Sequence, residues 1–214
     1  MKSLLAPAET QPSHRCIRWA IPVLLVLSAT ALSLAPLLMP DSYSWLSNFI
    51  SESAAQGVRG AWLARLGFLT FGFAVVWLAI VRRSRWARGA YWSHLAFGVL
   101  MISTAAFSHR PWLAQAPFDA FEDFLHSVTA TGMGFAFALG VLFRLLQRSE
   151  PTVRAMLFDC CAIVASVALP LSGGVWPAVA GLAQRLLFVI AYVWYAREAQ
   201  CDREAPENRR DLTL

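Results

Sequence analysis

The chain has 214 residues, of which 57% are hydrophobic and only 14% are charged, whereas soluble domains carry about 25% charged residues. This composition excludes an ordinary soluble domain and predicts a polytopic helical membrane protein. The formal net charge is +5, but the arginines lie between apolar runs, as topology determinants do, and form no basic stripe of the kind that binds nucleic acid.

Six apolar runs are each long enough to cross the roughly 30 Å hydrocarbon core of a bilayer. The runs cover about residues 19–39, 61–81, 89–108, 124–146, 153–170 and 178–196. We therefore predict an all-α fold, an integral membrane bundle of six transmembrane helices that occupies residues 17–198. Residues 1–16 are predicted to form an N-terminal arm, and residues 199–214 a C-terminal tail.

The positions of the arginines predict the topology of this bundle. Arginines cluster in the N-terminal arm, after the second run, after the fourth run and in the tail, and the alternate loops hold few. Because cytoplasmic loops are enriched in basic residues, this pattern predicts that both termini are cytoplasmic. We expect the protein to reside in a bacterial-type inner (plasma) membrane.

The most polar interruption between two apolar runs is the stretch 107–128, FSHRPWLAQAPFDAFEDFLHSV. His109 lies near its start, and Asp119, Asp123 and His126 follow on a predicted helix, where their spacing puts them on one face. Two imidazoles and a carboxylate can hold Zn²⁺ with a position left for water, whose pKa the ion lowers to about 7. The sequence therefore predicts a zinc site with ligands His109, Asp123 and His126, and with Asp119 as a further candidate.

Three more residues are candidates for catalysis beside such an ion. Arg185 lies only a few residues inside the sixth run, so we expect it to face the bundle interior or a wet cavity. It needs an acidic partner, for which Glu52, Asp119 and Asp123 are the candidates. Arg185 would hold a phosphate or an oxyanion, Glu52 would act as the general base, and Ser51 is a candidate nucleophile.

Two other interpretations of the same residues stay open. In the first, the charges are structural salt bridges, and the protein is a non-enzymatic lipid-binding or accessory subunit. In the second, His109 and His126 are the axial ligands of a haem in an electron carrier. His94, near the other end of the third run, has no second histidine within the membrane for another haem, so we interpret it as an interfacial residue.

Four short motifs resemble those of a known family. They are YSWLSNFISE (43–52), GFLTFG (67–72), Asp123-x-x-His126 and GLAQR (181–185). They resemble the uncharacterised prokaryotic six-span membrane proteins that are grouped as domain of unknown function 998, over about residues 17–198. The resemblance implies a six-helix fold and no established activity.

The positions that match this family lie at the predicted outer ends of the helices. They are Ser51, Glu52, His126 and Arg185. A more distant likeness is to the membrane hydrolases related to alkaline ceramidases, which combine Ser, Asp and His around zinc, although this chain has fewer histidines than their usual pattern.

Our leading hypothesis is a metal-assisted hydrolase or transferase that acts on a lipid or another membrane-embedded substrate. Its polar pocket would open on the outer side of the membrane. Membrane lipids are the expected partners, nucleic acid is not, and a homo-oligomer is the candidate assembly. No motif specifies a protein partner.

Overall fold

The computed structural model describes residues 14–149 and 151–200. These residues form six α-helices and three short 3₁₀ helices, with no strand in the described ranges. The α-helices are α1 (His14–Leu34), α2 (Ala61–Arg82), α3 (Arg88–Ala106), α4 (Ala120–Gln147), α5 (Val153–Val175) and α6 (Ala180–Gln200). The predicted all-helical class is confirmed, whereas the predicted arm and tail lie largely outside the described residues.

Five of the helical segments are long and apolar enough to cross a membrane. They are Trp19–Leu38, Ala61–Arg82, Ala120–Gln147, Val153–Val175 and Pro177–Gln200. The third helix, α3, is less apolar than these five segments, because its first two turns contain Arg88, Trp92 and His94. The membrane character of the chain follows from the five apolar segments, and a sixth span stays a prediction.

The helices form a closed ring in which each packs against its neighbours in the chain and α1 packs against α6. Connections of four or five residues make α2 and α3, α4 and α5, and α5 and α6 antiparallel. Helices α3 and α4 are antiparallel across a longer loop, because Gly89 faces Phe143 and Gly132 faces Leu100. Ser28 of α1 joins three helices, because its hydroxyl donates to the Gly67 carbonyl of α2 and hydrogen-bonds the Tyr192 hydroxyl of α6, each at 2.6 Å. We call the end that holds the α1–α2, α3–α4 and α5–α6 connections the Arg185 end, and the opposite end the Glu198 end.

A fully buried carboxylate anchors α5 at the Glu198 end. Asp159 is 0% exposed and forms ion pairs with Arg148, at the end of α4, and with Arg197 of α6. The Trp194 indole N–H donates to the same carboxylate at 2.9 Å. Because a buried charge is tolerated only when it is paired and hydrogen-bonded, these contacts fix α5 against α4 and α6.

A second buried carboxylate, that of Glu198, continues this network. Its two oxygens accept from Arg144 at 2.9 Å and from Arg148 at 2.5 Å, and only 1% of its side chain is exposed. The backbone carbonyl of Glu198 accepts from the Arg82 guanidinium of α2 at 2.7 Å. The last turn of α6 therefore contacts arginines of α2 and of the end of α4. We call Glu198, Asp159 and the arginines that contact them the arginine network.

His94 is not an interfacial residue, contrary to the prediction. Its ring is fully buried between Trp86 and Trp194, with ring centroids 4.8 and 4.6 Å away. Its Nδ1 hydrogen-bonds the Tyr195 hydroxyl at 3.0 Å. The imidazole fits this space because Gly140 of α4 has no side chain, and an added Cβ there would lie 2.4 Å from the ring.

Candidate functional site

Arg185 organises the loop between α1 and α2. Its Nη1 donates to the Asn48 carbonyl at 2.9 Å and to the Gly181 carbonyl at 3.0 Å, and its Nη2 donates to the Tyr43 hydroxyl at 2.8 Å. The Tyr43 hydroxyl in turn donates to the Phe49 carbonyl at 3.0 Å. Burial raises the pKa of the Tyr43 phenol above its ordinary value, and the charge of Arg185 opposes that rise.

Glu52 stabilises the same loop but does not pair with Arg185. One of its carboxylate oxygens accepts from the Phe49 N–H at 2.6 Å and from the Asn48 side-chain amide at 3.1 Å. Ser51, the predicted nucleophile, is buried in the short 3₁₀ helix Ser51–Ala54. Glu52 and Arg185 are thus connected indirectly, through Asn48 and through Tyr43 and Phe49.

The predicted acidic partner of Arg185 is absent from the described part of the chain. Asp119 is the N-cap of α4 and accepts from the backbone N–H groups of Phe121 and Glu122. The Asp123 carboxylate accepts from the Arg110 N–H at 2.8 Å. Both carboxylates accept hydrogen bonds from backbone N–H groups, in the first turn of α4 and in the loop before it, that have no acceptor within a helix.

The two predicted histidine ligands do lie together. The ring centroids of His109 and His126 are 5.1 Å apart and the rings meet edge to face. The Nδ1 of His126 contacts the Phe107 carbonyl at 2.8 Å, and the Nδ1 of His109 contacts the Arg110 carbonyl at 2.6 Å. Because a carbonyl only accepts, Nδ1 is a protonated nitrogen of each ring, and in the neutral form of either ring the lone pair is on Nε2.

The carboxylate part of the predicted zinc site is incomplete. The Nε2 of His109 lies 4.0 Å from Oδ1 of Asp123, which is longer than the roughly 3.4 Å between two ligands of a tetrahedral Zn²⁺ that are each about 2.1 Å from the ion. No group of three His, Cys, Asp or Glu side chains in the described residues is placed to hold a metal ion. The edge-to-face contact of the two rings gives the haem alternative no support either, because axial ligands must stand on opposite sides of a haem plane.

Gln56 connects the two polar groups and was not foreseen from the sequence. Its N–H donates to the His109 carbonyl at 2.9 Å, and its side-chain amide contacts the Ser108 carbonyl and the backbone of Asp119. The polar residues therefore form two groups joined through the main chain, one around Arg185 and one around His109 and His126. They do not form the single polar pocket that the sequence predicted.

An apolar cleft lies inside the ring of helices, toward the middle of the bundle. Its cavity volume is ≈ 30 Å³, and the space between its lining atoms reaches ≈ 310 Å³ only when the part open to the surroundings is included. Its lining includes Phe71, Phe97, Met133, Gly134, Ser166 and Phe188. Ser166 is a polar member of this lining, and its hydroxyl is satisfied by donating to the Ala162 carbonyl at 2.7 Å.

The cleft has unfilled space beside α4 and α5. A Cβ added at Gly134 would meet no atom within 4 Å. Met133 and Leu187, which also line the cleft, are only partly buried. The adjacent helix α5 is the least enclosed of the candidate spans, with 17% of its apolar window buried. The cleft is therefore bounded by the most loosely packed part of the ring.

The fold and its apolar segments define a multi-pass helical membrane protein. A model of the family described as a protein of unknown function (DUF998) matches residues 9–197, so the chain belongs to this family. This confirms the family resemblance of the four motifs. No curated protein and no solved structure matches the chain.

Proposed function

We propose that the protein binds a membrane lipid and holds one of its hydrocarbon chains in the apolar cleft. The cleft carries this proposal, because its wall offers aromatic rings and Met133 and no unsatisfied polar group to a ligand. Predominantly apolar walls are typical of sites that bind apolar ligands, and a groove that is open on one side can take a chain that extends beyond its ≈ 30 Å³ cavity. For a bundle of membrane-spanning helices, the surrounding medium itself supplies hydrocarbon chains.

The experiment that tests this proposal fills the cleft. Gly134→Leu adds an apolar side chain where the space is open, and Gly174→Leu is the matched control. Gly174 is also open to an added side chain but lies in the last turn of α5. A phospholipid with a photoactivatable group in its acyl chain should label the lining of the purified wild-type protein.

We expect Gly134→Leu to reduce this labelling several-fold and Gly174→Leu to leave it unchanged. Peptide mapping should place the wild-type adduct on Met133, Phe188 or their neighbours. Equal labelling of all three proteins, or adducts spread over the outer faces of the helices alone, would contradict binding in the cleft.

We propose that all six helices cross a bacterial-type inner membrane, with both termini in the cytoplasm. The arginines at the Glu198 end support this orientation, because exposed Arg83, Arg88 and Arg154 all lie there, and cytoplasmic loops are enriched in basic residues. In a variant without native cysteines, Ser42→Cys and Gln115→Cys should react with an impermeant maleimide in intact cells. Ser84→Cys should not react, and labelling of Ser84→Cys together with Gln115→Cys would mean that α3 does not cross.

A metal-assisted hydrolase or transferase that acts on the bound lipid is the second candidate. The observation that favours it is the pair of imidazoles, His109 and His126, each fixed by a main-chain carbonyl and each with a lone pair on Nε2. A backbone carbonyl that holds the other ring nitrogen is typical of histidine ligands. A bound Zn²⁺ would supply an activated water, with Glu52, Ser51 and Arg185 as the predicted catalytic residues.

This second candidate is tested by metal analysis of purified protein after supplementation with zinc. We expect about one equivalent in the wild type, by analogy with catalytic zinc sites, and a loss of the ion in His126→Ala. His14→Ala, which changes the first residue of α1, serves as the control. Zinc that is substoichiometric in the wild type, or retained in His126→Ala, argues against a metal at this position.

A further inference from the structure

We infer that the bound lipid carries a phosphate in its headgroup and that the guanidinium of Arg185 binds this phosphate. The inference rests on the proposed function, because it names the class of lipid whose chain occupies the cleft. Three observations carry it, and they concern the free donors of Arg185, its missing counter-ion and its position along α6.

The first observation is that Arg185 has donors to spare. A guanidinium has five N–H groups, and three of those of Arg185 donate to Asn48, Gly181 and Tyr43. The Nε–H and one Nη2–H have no partner within the described residues. These two nitrogens form one edge of the planar group, and such an edge matches two oxygens of a phosphate in a bidentate contact.

The second observation is that the charge of Arg185 is not neutralised. Its hydrogen-bond partners are two carbonyls and a phenol hydroxyl, its guanidinium carbon lies 6.0 Å from the centroid of the neutral Trp45 ring, and no carboxylate in the described part of the chain pairs with it. Glu52, the nearest acid along the loop, is engaged by the Phe49 N–H and the Asn48 amide. A half-buried guanidinium at the end of a membrane bundle is costly without a counter-ion, and an anionic headgroup supplies one.

The third observation is the position of Arg185 relative to the cleft. Phe188, which lines the cleft, follows Arg185 by three residues on α6. Residues three apart lie on the same face of a helix, and they are separated by about 4.5 Å along its axis. A single lipid therefore reaches both places, with its phosphate at the Arg185 end and its chain toward the middle of the bundle.

The test compares two lipids that have the same chains. Dioleoyl phosphatidylglycerol has the phosphate, and dioleoylglycerol lacks it. Native mass spectrometry of the purified full-length protein in detergent measures the retained fraction of each, and inorganic phosphate alone is a third probe. The variants are Arg185→Gln, Arg185→Lys and, as the control, Arg59→Gln, which changes an exposed arginine at the same end of the bundle.

We expect Arg185→Gln to weaken phosphatidylglycerol binding about ten-fold or more, because it removes a charge-assisted contact. Arg185→Lys should also weaken it, since an ammonium keeps the charge but not the planar edge. Dioleoylglycerol binding should persist in both variants, which shows that they fold, and Arg59→Gln should bind both lipids as the wild type does. Inorganic phosphate at equal concentration should not displace phosphatidylglycerol.

Two results would overturn the inference and leave the proposed function standing. One is equal retention of the two lipids by the wild type, and the other is phosphatidylglycerol binding that is unchanged in both Arg185 variants. Displacement by inorganic phosphate would reassign the site to a soluble anion and overturn the lipid headgroup. Failure of both lipids to bind, with Gly134→Leu indistinguishable from the wild type, would instead remove the proposed function itself.

Discussion

Replacing Asp159 by asparagine should destabilise the bundle more than any exposed substitution does. The change keeps the size of the side chain but removes the charge that faces Arg148 and Arg197. Removing one partner of a buried ion pair costs about 3–5 kcal/mol. We expect about 3 kcal/mol, at the lower end of that range, because Arg148 keeps its contact with Glu198 and 30% of the Arg197 side chain is exposed.

The free energy of unfolding is measured by titrating SDS into dodecylmaltoside micelles and following the helical circular dichroism. Cys160→Ala is the matched control, because Cys160 is the next residue on α5 and is exposed. We expect the control to change the free energy of unfolding by less than about 0.5 kcal/mol. The double variant Asp159→Asn, Arg197→Gln should lose less than the sum of its single variants, because both remove the same contact.

The reasoning is refuted if Asp159→Asn unfolds at the same SDS fraction as Cys160→Ala. It is also refuted if the effects of Asp159→Asn and Arg197→Gln are additive, since independent effects would mean that the two side chains do not interact.

The remaining predictions use the same unfolding titration. Gly181→Ala should lower the free energy of unfolding by about 1–3 kcal/mol through overpacking, because the new Cβ would lie 2.1 Å from the Asn48 carbonyl oxygen. Gly174→Ala, the control, should be nearly neutral, because a Cβ there meets no atom within 4 Å. Equal effects of the two variants would refute the close approach of α6 to the loop. Asp119→Ala should cost about 1 kcal/mol through the lost N-cap, and Asp119→Asn should recover most of it, so a failure of Asn to recover it contradicts the capping role. Ser28→Ala should cost about 1 kcal/mol, because the buried hydroxyl bonds two other helices; no change in the free energy of unfolding would contradict this.

The helical class was predictable because it depends on local properties of the chain. Runs of apolar residues about 20 long have few alternatives to a helix, since a membrane leaves no water for unsatisfied backbone groups. The ends of the helices were less predictable. Helix α4 begins at Ala120 because Asp119 caps it, and α5 continues through Pro170 to Val175, five residues beyond the end of the predicted run.

The candidate site was predictable only where a short connection brings its parts together. His109 and His126 meet because only a loop and about two turns of α4 separate them. The partner of Arg185 was not predictable, since it depends on how α6 is rotated against a loop 137 residues earlier in the chain. Two backbone carbonyls and the Tyr43 hydroxyl accept its hydrogen bonds. Every residue has a backbone carbonyl, so the sequence does not indicate which carbonyls accept from Arg185.

The arginine network was missed although the sequence contained a signal for it. Asp159 interrupts an apolar run, and an acid in such a place is expected to be paired. Its pairing with Arg148 and Arg197 depends on the packing of three helices, and Glu198 meets Arg144 across 54 positions of the chain. Charges near the ends of helices were interpreted as topology signals alone, and several of them also hold the bundle together.

The location of Glu198 on α6 has a consequence for how the chain is assembled during synthesis. Arg144 leaves the ribosome before α6, and the Glu198 carboxylate that pairs with it is made 54 residues later. Until α6 has been made and packed, the ion pair between α4 and α6 does not exist. A chain that stops short of Glu198 therefore lacks this connection between the two helices, however well its earlier helices have formed.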